Sequence, residues 1–348
     1  MHGSARKRGS VVTAVDEKPL TLHSLALNET PYPPLESVRK AIADGIPDLH
    51  RYPQFYADGL MEFIARWRGV TAESVVVGSG SVGVALQTLQ AFTDGPRDEV
   101  VYGWRAFDAY PIITDMAGAG RVEVPLTPDG EQDLARILDA VTDRTRVVIL
   151  CNPHNPTGTP VEAGALERFL DALPPHVLVL LDEAYMEFAG DAALPQGIDL
   201  LKAGRGRLVV LRTFSKAYGL AGLRIGYGLT TPETARRIRT MSVPYSITET
   251  ARTAVIASVG AEAELNERIA ALTAERARMQ AALRGLGWRV LESRANFLWL
   301  DEPERCAAFH RACDGAGVQV RLYPGEGIRL TIGTSDANDL VLRAARGL

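Results

Sequence analysis

Between about residues 70 and 230, short apolar, β-branched runs alternate with stretches of helical spacing. The runs fall at 74–77, 99–102, 121–124, 146–151, 177–182 and 208–212, and helical patterns at 82–92, 107–117, 131–141 and 162–172 lie between most of them. That alternation predicts an α/β class chain whose mainly parallel sheet is covered by helices on both faces. Ligand sites in such sheets lie beyond the carboxyl ends of the strands. After about residue 247 the pattern changes. A long Ala-, Glu- and Arg-rich stretch reads as helices with a break near Gly260, and WRVLES, ANFLWL, VQVRL and IRLTIG read as strands of a smaller α+β unit. A helix at about 336–347 closes it. Upstream, a proline-punctuated arm, LALNETPYPPLESVRKAI, enters a helix near Glu36. The expected organisation is a flexible segment at 1–25, an arm at 26–45, a large domain at 46–246 and a small domain at 247–348.

Composition narrows the function classes. The chain has 348 residues, 46% hydrophobic and 23% charged, with a formal net charge of −4. This is the balance of a globular enzyme, with no reason to expect nucleic acid or anionic membrane as a partner. Cys151, Cys306 and Cys313 show no metal or redox spacing, and the basic start MHGSARKRGS is not followed by an apolar signal core. Reduced thiols and a cytoplasmic location are expected. No apolar stretch reaches membrane-spanning length.

Only five of the 38 basic residues are lysines, and one of them, Lys216, stands in LRTFSKAYGLAGLRIGY. A lysine amine forms a Schiff base with a carbonyl, and flanking Thr213 and Ser215 with Arg224 suit a phosphate clamp. A surface lysine in a glycine-rich loop is the plainer alternative. VVVGSGSVGVALQ contains Gly78, Gly80 and Gly83 in G-x-G-x-x-G order between a strand and a helix. A dinucleotide site would need an acidic residue closing the next strand, and VVYGWRAF has none there. The same backbone suits a single phosphate held by the N–H groups of Ser81 and Val82, or a structural tight turn.

CNPHNPTG ends a strand with amides at Asn152 and Asn155; Asn155 suits an aromatic oxyanion, and His154, without a second ligand at metal spacing, reads as a solvated loop residue. Asp182 closes a strongly apolar run and needs a cation, such as a pyridinium nitrogen, unless it caps the next helix. Tyr185 lies three residues on. Arg321 and Arg329 flank a short turn and together suit a carboxylate.

Taken together, LNET, RYP, GSGS, NPHNPTG, DEAY, TFSKAYGLAGLR and IRLTIGT occur in an order that resembles the fold-type I pyridoxal-phosphate aminotransferases, in the histidinol-phosphate branch. WRAFDAYPI and ANFLWL are most similar to its actinobacterial aromatic amino acid members. The resemblance implies pyridoxal 5'-phosphate bound covalently to Lys216, with Asp182 on the ring nitrogen and Asn155 and Tyr185 on the ring oxygen. It further implies Phe107 stacked on the ring, and Ser81, Val82, Thr213, Ser215 and Arg224 on the phosphate. Tyr52, in RYP, would reach the cofactor of a second subunit in a homodimer. Arg329, with Arg321, would hold the substrate carboxylate, and Tyr32 would face substrate. No metal is implied. Ser81-Val82-Gly83 departs from the acidic or amide residue plus Glu usual in histidinol-phosphate enzymes, whereas Pro31-Tyr32 matches them. The expected reaction is amino transfer from an aromatic amino acid to a 2-oxo acid, with histidinol phosphate as the alternative donor. A nicotinamide oxidoreductase and a ligand-sensing binding module are the readings from other classes.

Overall fold

The computed structural model describes residues 22–190 and 194–348. The flexibility expected of residues 1–20 lies outside them. In chain order the strands are β1 (His23–Leu25), β2 (Val75–Ser79), β3 (Glu99–Trp104), β4 (Gly120–Pro125), β5 (Thr145–Cys151), β6 (Leu178–Asp182), β7 (Leu208–Thr213), β8 (Ile225–Leu229), β9 (Phe297–Leu300), β10 (Val318–Tyr323) and β11 (Gly327–Thr331).

A seven-stranded sheet has the order β2-β8-β7-β6-β5-β3-β4. All neighbours from β7 to β4 are parallel, and β8 runs antiparallel to both β2 and β7. The strands read as unbroken apolar runs because both faces are covered. Val76, Val100, Val147, Leu180 and Val209 pack on one side, and their successors Val77, Val101, Val148, Leu181 and Val210 on the other. The paired register aligns Cys151 with Asp182 and Asp182 with Leu211, so the carboxyl ends of β5, β6 and β7 finish side by side.

The antiparallel strand β8 has no counterpart among the expected runs. Its sequence, IGYGL, carries glycine where the helix Gly80–Phe92 crosses it, and a Cβ on Gly226 would stand 2.2 Å from the Ser81 amide nitrogen. Close packing of a helix against the strand has replaced the apolar pattern that would reveal it.

A four-stranded sheet has the order β1-β10-β11-β9. The expected helix break appears between Glu249–Gly260 and Glu262–Gly285. WRVLES, expected to be a strand, contributes only an isolated bridge from Val290 to Leu300. At the end of the segment expected to be flexible, His23–Leu25 is instead β1, pairing in parallel with Val318–Val320. The chain then passes from this sheet across the carboxyl ends of the large one.

Candidate active site

A cleft opens at those carboxyl ends, the usual place for a ligand site in such a sheet. Ser81 and Val82, Phe107, Asn155, Asp182, Tyr185, Thr213, Ser215, Lys216 and Arg224 all line it, joined by Leu27, Glu29, Cys151, Ala184 and Ala221.

One end is an anion cradle. The helix Gly80–Phe92 begins in the cleft, and no side chain caps its first turn. Its first N–H groups and dipole therefore favour a negative ligand there. Gly80 has φ +75°, and a Cβ on it would lie 2.5 Å from Arg224 Nη2. Glycine is thus what lets the guanidinium lie against the helix start. Arg224 Nη1 donates to the Ala221 carbonyl at 2.8 Å, fixing its direction.

Lys216 sits in the middle. Its Nζ donates to the Leu27 carbonyl at 2.9 Å and lies 5.8 Å from the centre of the Tyr185 ring. Burial, together with the positive charges of Arg329 and Arg224, holds its pKa down to about 8, against the opposing pull of Glu29 and Asp182. A neutral amine is therefore well populated near that pH.

Asp182 is buried at the end of β6. Desolvation raises its pKa; the Tyr110 hydroxyl, donating to Oδ2 at 2.8 Å, and the Ala184 N–H, donating to Oδ1 at 3.2 Å, oppose the rise. Tyr185 is held between two amides: Asn28 Nδ2 donates to its hydroxyl at 2.9 Å and Asn155 Nδ2 at 3.3 Å. Asn155 Oδ1 in turn accepts from Arg329 Nη1 at 2.6 Å, and Arg329 Nη2 donates to the Ala26 carbonyl at 2.8 Å. Arg329 is buried, and its Nε has no protein partner. A buried guanidinium with a free donor is equipped to take an anionic group.

Not every expected residue comes to the cleft. Arg321 lies opposite Arg329 in the β10–β11 ladder, but its guanidinium is exposed and donates to Asp108 Oδ2 at 2.9 Å rather than pointing at a shared ligand. Tyr32 packs 5.6 Å from the Arg268 guanidinium, away from the cleft lining. Tyr52 is 86% exposed and stacks against Tyr245, 5.1 Å between ring centres, outside its own chain's cleft. His154, expected to be solvated, is buried; its Nδ1 pairs with the Thr157 hydroxyl at 2.8 Å, and burial pushes its pKa down to about 3. Glycine and proline around it tighten the loop onto β5, which turns the ring inward.

Two residues that motif reading left unassigned belong to the site. Asn28 ties the Tyr185 hydroxyl to β11 through Thr331, whose Oγ1 donates to Asn28 Oδ1 at 3.1 Å. Tyr110 supplies one of the two protein donors to Asp182. Both stand inside quoted motifs, LNET and WRAFDAYPI, but neither carries a chemical group that announces its role.

Residues 21–344 match the family model for aminotransferase class I and II. The chain belongs to that family. An aromatic amino acid aminotransferase from Streptomyces coelicolor is 50% identical over 323 residues, 93% of this chain and 89% of that protein. Its counterpart from Nocardia farcinica is 46% identical over 325 residues, 92% of this chain and 90% of that one. Among solved structures, the histidinol-phosphate aminotransferase from Sinorhizobium meliloti, in complex with pyridoxal-5'-phosphate, superposes with a TM-score of 0.85. It is 28% identical, and the match covers 94% of this chain and 90% of that one. Among the described residues no group of His, Cys, Asp and Glu is arranged to hold a metal ion.

Proposed function

We propose that this aminotransferase carries pyridoxal 5'-phosphate in the cleft and moves the amino group of an aromatic amino acid to a 2-oxo acid such as 2-oxoglutarate. The observation that carries the reading is that Lys216, Asp182 and the Arg224-backed helix start line one cleft, which brings together a partner for an aldehyde, for a ring nitrogen and for a phosphate. The Gly80 cradle fits the group as well, since the missing side chain lets Arg224 lie beside an uncapped helix start, where both can face a phosphate. The aromatic donor rests on the relatives that share about half their residues with this chain.

When bound, the cofactor supplies an electron sink for the charge released at the substrate α-carbon. Asp182 keeps a proton on the ring nitrogen, which a buried carboxylate with few other partners is placed to do. Asn155 and Tyr185 direct donors at the ring oxygen. Thr213, Ser215, Arg224 and the amides of Ser81 and Val82 hold the phosphate, and Phe107 covers the ring. Once its amine is free, Lys216 would take the proton from the substrate α-carbon at Nζ and hold it for return across the substrate nitrogen, a role its lowered pKa suits. Arg329 fixes the α-carboxylate and so the direction in which the α-hydrogen leaves. Arg321 and Tyr32 take part only after rearranging.

The exposed aromatic group of Tyr52, Phe55, Tyr56 and Tyr245 supports a homodimer in which Tyr52 completes the second subunit's phosphate site. The free cysteines suit the reducing cytoplasm. Borohydride reduction followed by peptide mapping tests the cofactor: a pyridoxyl group on any residue but Lys216 overturns the reading. Phe, Tyr, Trp, Leu and histidinol phosphate offered with 2-oxoglutarate test the donor. A preference for histidinol phosphate, the reading that the Sinorhizobium meliloti likeness favours, would replace the aromatic one.

A further inference from the structure

We propose that Arg105 and Asp108 are positioning residues that clamp Phe107 over the cleft through two ion pairs of opposite polarity to the β10–β11 hairpin. The inference rests on the reading in which Phe107 faces the bound cofactor. Phe107 stands on the loop that follows β3, and its neighbours on both sides reach the hairpin. Arg105 Nε donates to Glu326 Oε2 at 2.9 Å, and its Nη2 bonds the other oxygen of the same carboxylate. On the far side of Phe107, Asp108 Oδ2 accepts from Arg321 at 2.9 Å. In the first pair the cation belongs to the loop; in the second it belongs to the hairpin. Sliding or rotating the loop would bring Arg105 towards Arg321 and Asp108 towards Glu326, so the alternation opposes misalignment as well as separation.

Aromatic faces reinforce the clamp. The Arg105 guanidinium lies 4.4 Å from the Trp104 ring centre and 5.4 Å from that of Tyr323, and Arg321 lies 5.5 Å from Tyr323. The hairpin that receives the loop also carries Arg329, in direct register with Arg321. One rigid ladder therefore sets both the carboxylate anchor and the ring-covering phenylalanine. Their spacing is what a substrate held at its α-carboxylate must match. This accounts for Arg321 being committed to Asp108 instead of standing beside Arg329.

Hydrogen–deuterium exchange across residues 104–109 of the cofactor-free protein reads the clamp without any activity. Visible circular dichroism of the loaded enzyme reads the ring environment. Glu326→Gln and Asp108→Asn, both at accessible positions, are expected to raise exchange in that segment about threefold each and to weaken the cofactor's visible dichroism. The double reversal Arg105→Glu with Glu326→Arg is expected to recover part of both signals, since it restores the ion pair but not the aromatic contacts of Arg105. Exchange unchanged in the single variants, or no recovery in the reversal, overturns the clamp. Faster exchange with undiminished dichroism instead overturns the placing of Phe107 on the cofactor.

Discussion

Replacing Tyr110 by phenylalanine removes one hydroxyl and leaves the ring, so the perturbation falls on Asp182 and on the Cys151 thiol beside it. Both groups are buried, at 3% and 6% exposure, and the bond between them is 2.8 Å long. The Ala184 N–H is the other donor the carboxylate has, and it reaches the opposite oxygen. Loss of a bond to a buried charged acceptor costs about 1.5–3 kcal/mol, against about 1 kcal/mol for a neutral one. The hydroxyl favours the charged form, so its removal raises the pKa of Asp182 further above its ordinary value. A carboxyl whose folded pKa is raised favours the native state at low pH and penalises it as pH climbs through that value. Tyr110→Phe is therefore expected to destabilise the cofactor-free protein more at the alkaline end of its stable range, where the charged carboxylate loses a donor, than at the acid end, where a neutral bond worth about 1 kcal/mol is lost. Guanidinium unfolding across that range measures the difference, and the acidic limb of kcat/KM should move upward with it. A stability loss constant with pH would refute the reasoning, because the hydroxyl would then not be acting on the ionised form.

Lys216→Ala is expected to lower kcat by at least about 10³-fold while the cofactor still binds through its phosphate. In the parent the rate should rise with pH through about 8 as the lysine loses its proton, on stopped-flow measurement of the first half-reaction. Arg329→Lys keeps the charge but not the planar fork, and should raise KM for the amino donor about 10- to 100-fold with a smaller change in kcat. Gly80→Ala adds a methyl 2.5 Å from Arg224 Nη2 at a left-handed φ. Cofactor affinity, read by fluorescence titration of the apoenzyme, should weaken about tenfold as the guanidinium is displaced.

The parts legible in the sequence are those whose chemistry is local. Apolar runs buried on both faces announced most of the large sheet, and Lys216, Asp182, Asn155 and Arg224 stood beside the strand ends that bring them together. What escaped depends on partners distant in the chain. β8 lost its apolar signature to the helix packed on it, and WRVLES carries a strand-like pattern but meets β9 only through the bridge from Val290 to Leu300 and the hydrogen bonds beside it. Asn28 gains its role from Tyr185 and Thr331, and Tyr110 from Asp182, across separations that no spacing rule spans. Arg321 and Arg329 do stand opposite each other across the short turn, but Asp108 arrives from another part of the chain and claims Arg321.

β1 and the residues after it set the order in which the site can be completed. Asn28 and Thr331 are 303 positions apart, and His23–Leu25 pairs with residues of β10. During synthesis the large sheet can assemble once β8 has emerged, but the segment that carries the Leu27 carbonyl and Asn28 has no sheet to join until β10 and β11 are made. At about 5–20 residues per second that wait lasts on the order of half a minute. A nascent chain with its lysine, aspartate and phosphate cradle already in place would still lack the strand that crosses them, so competence for catalysis arrives only with the final stretch of translation.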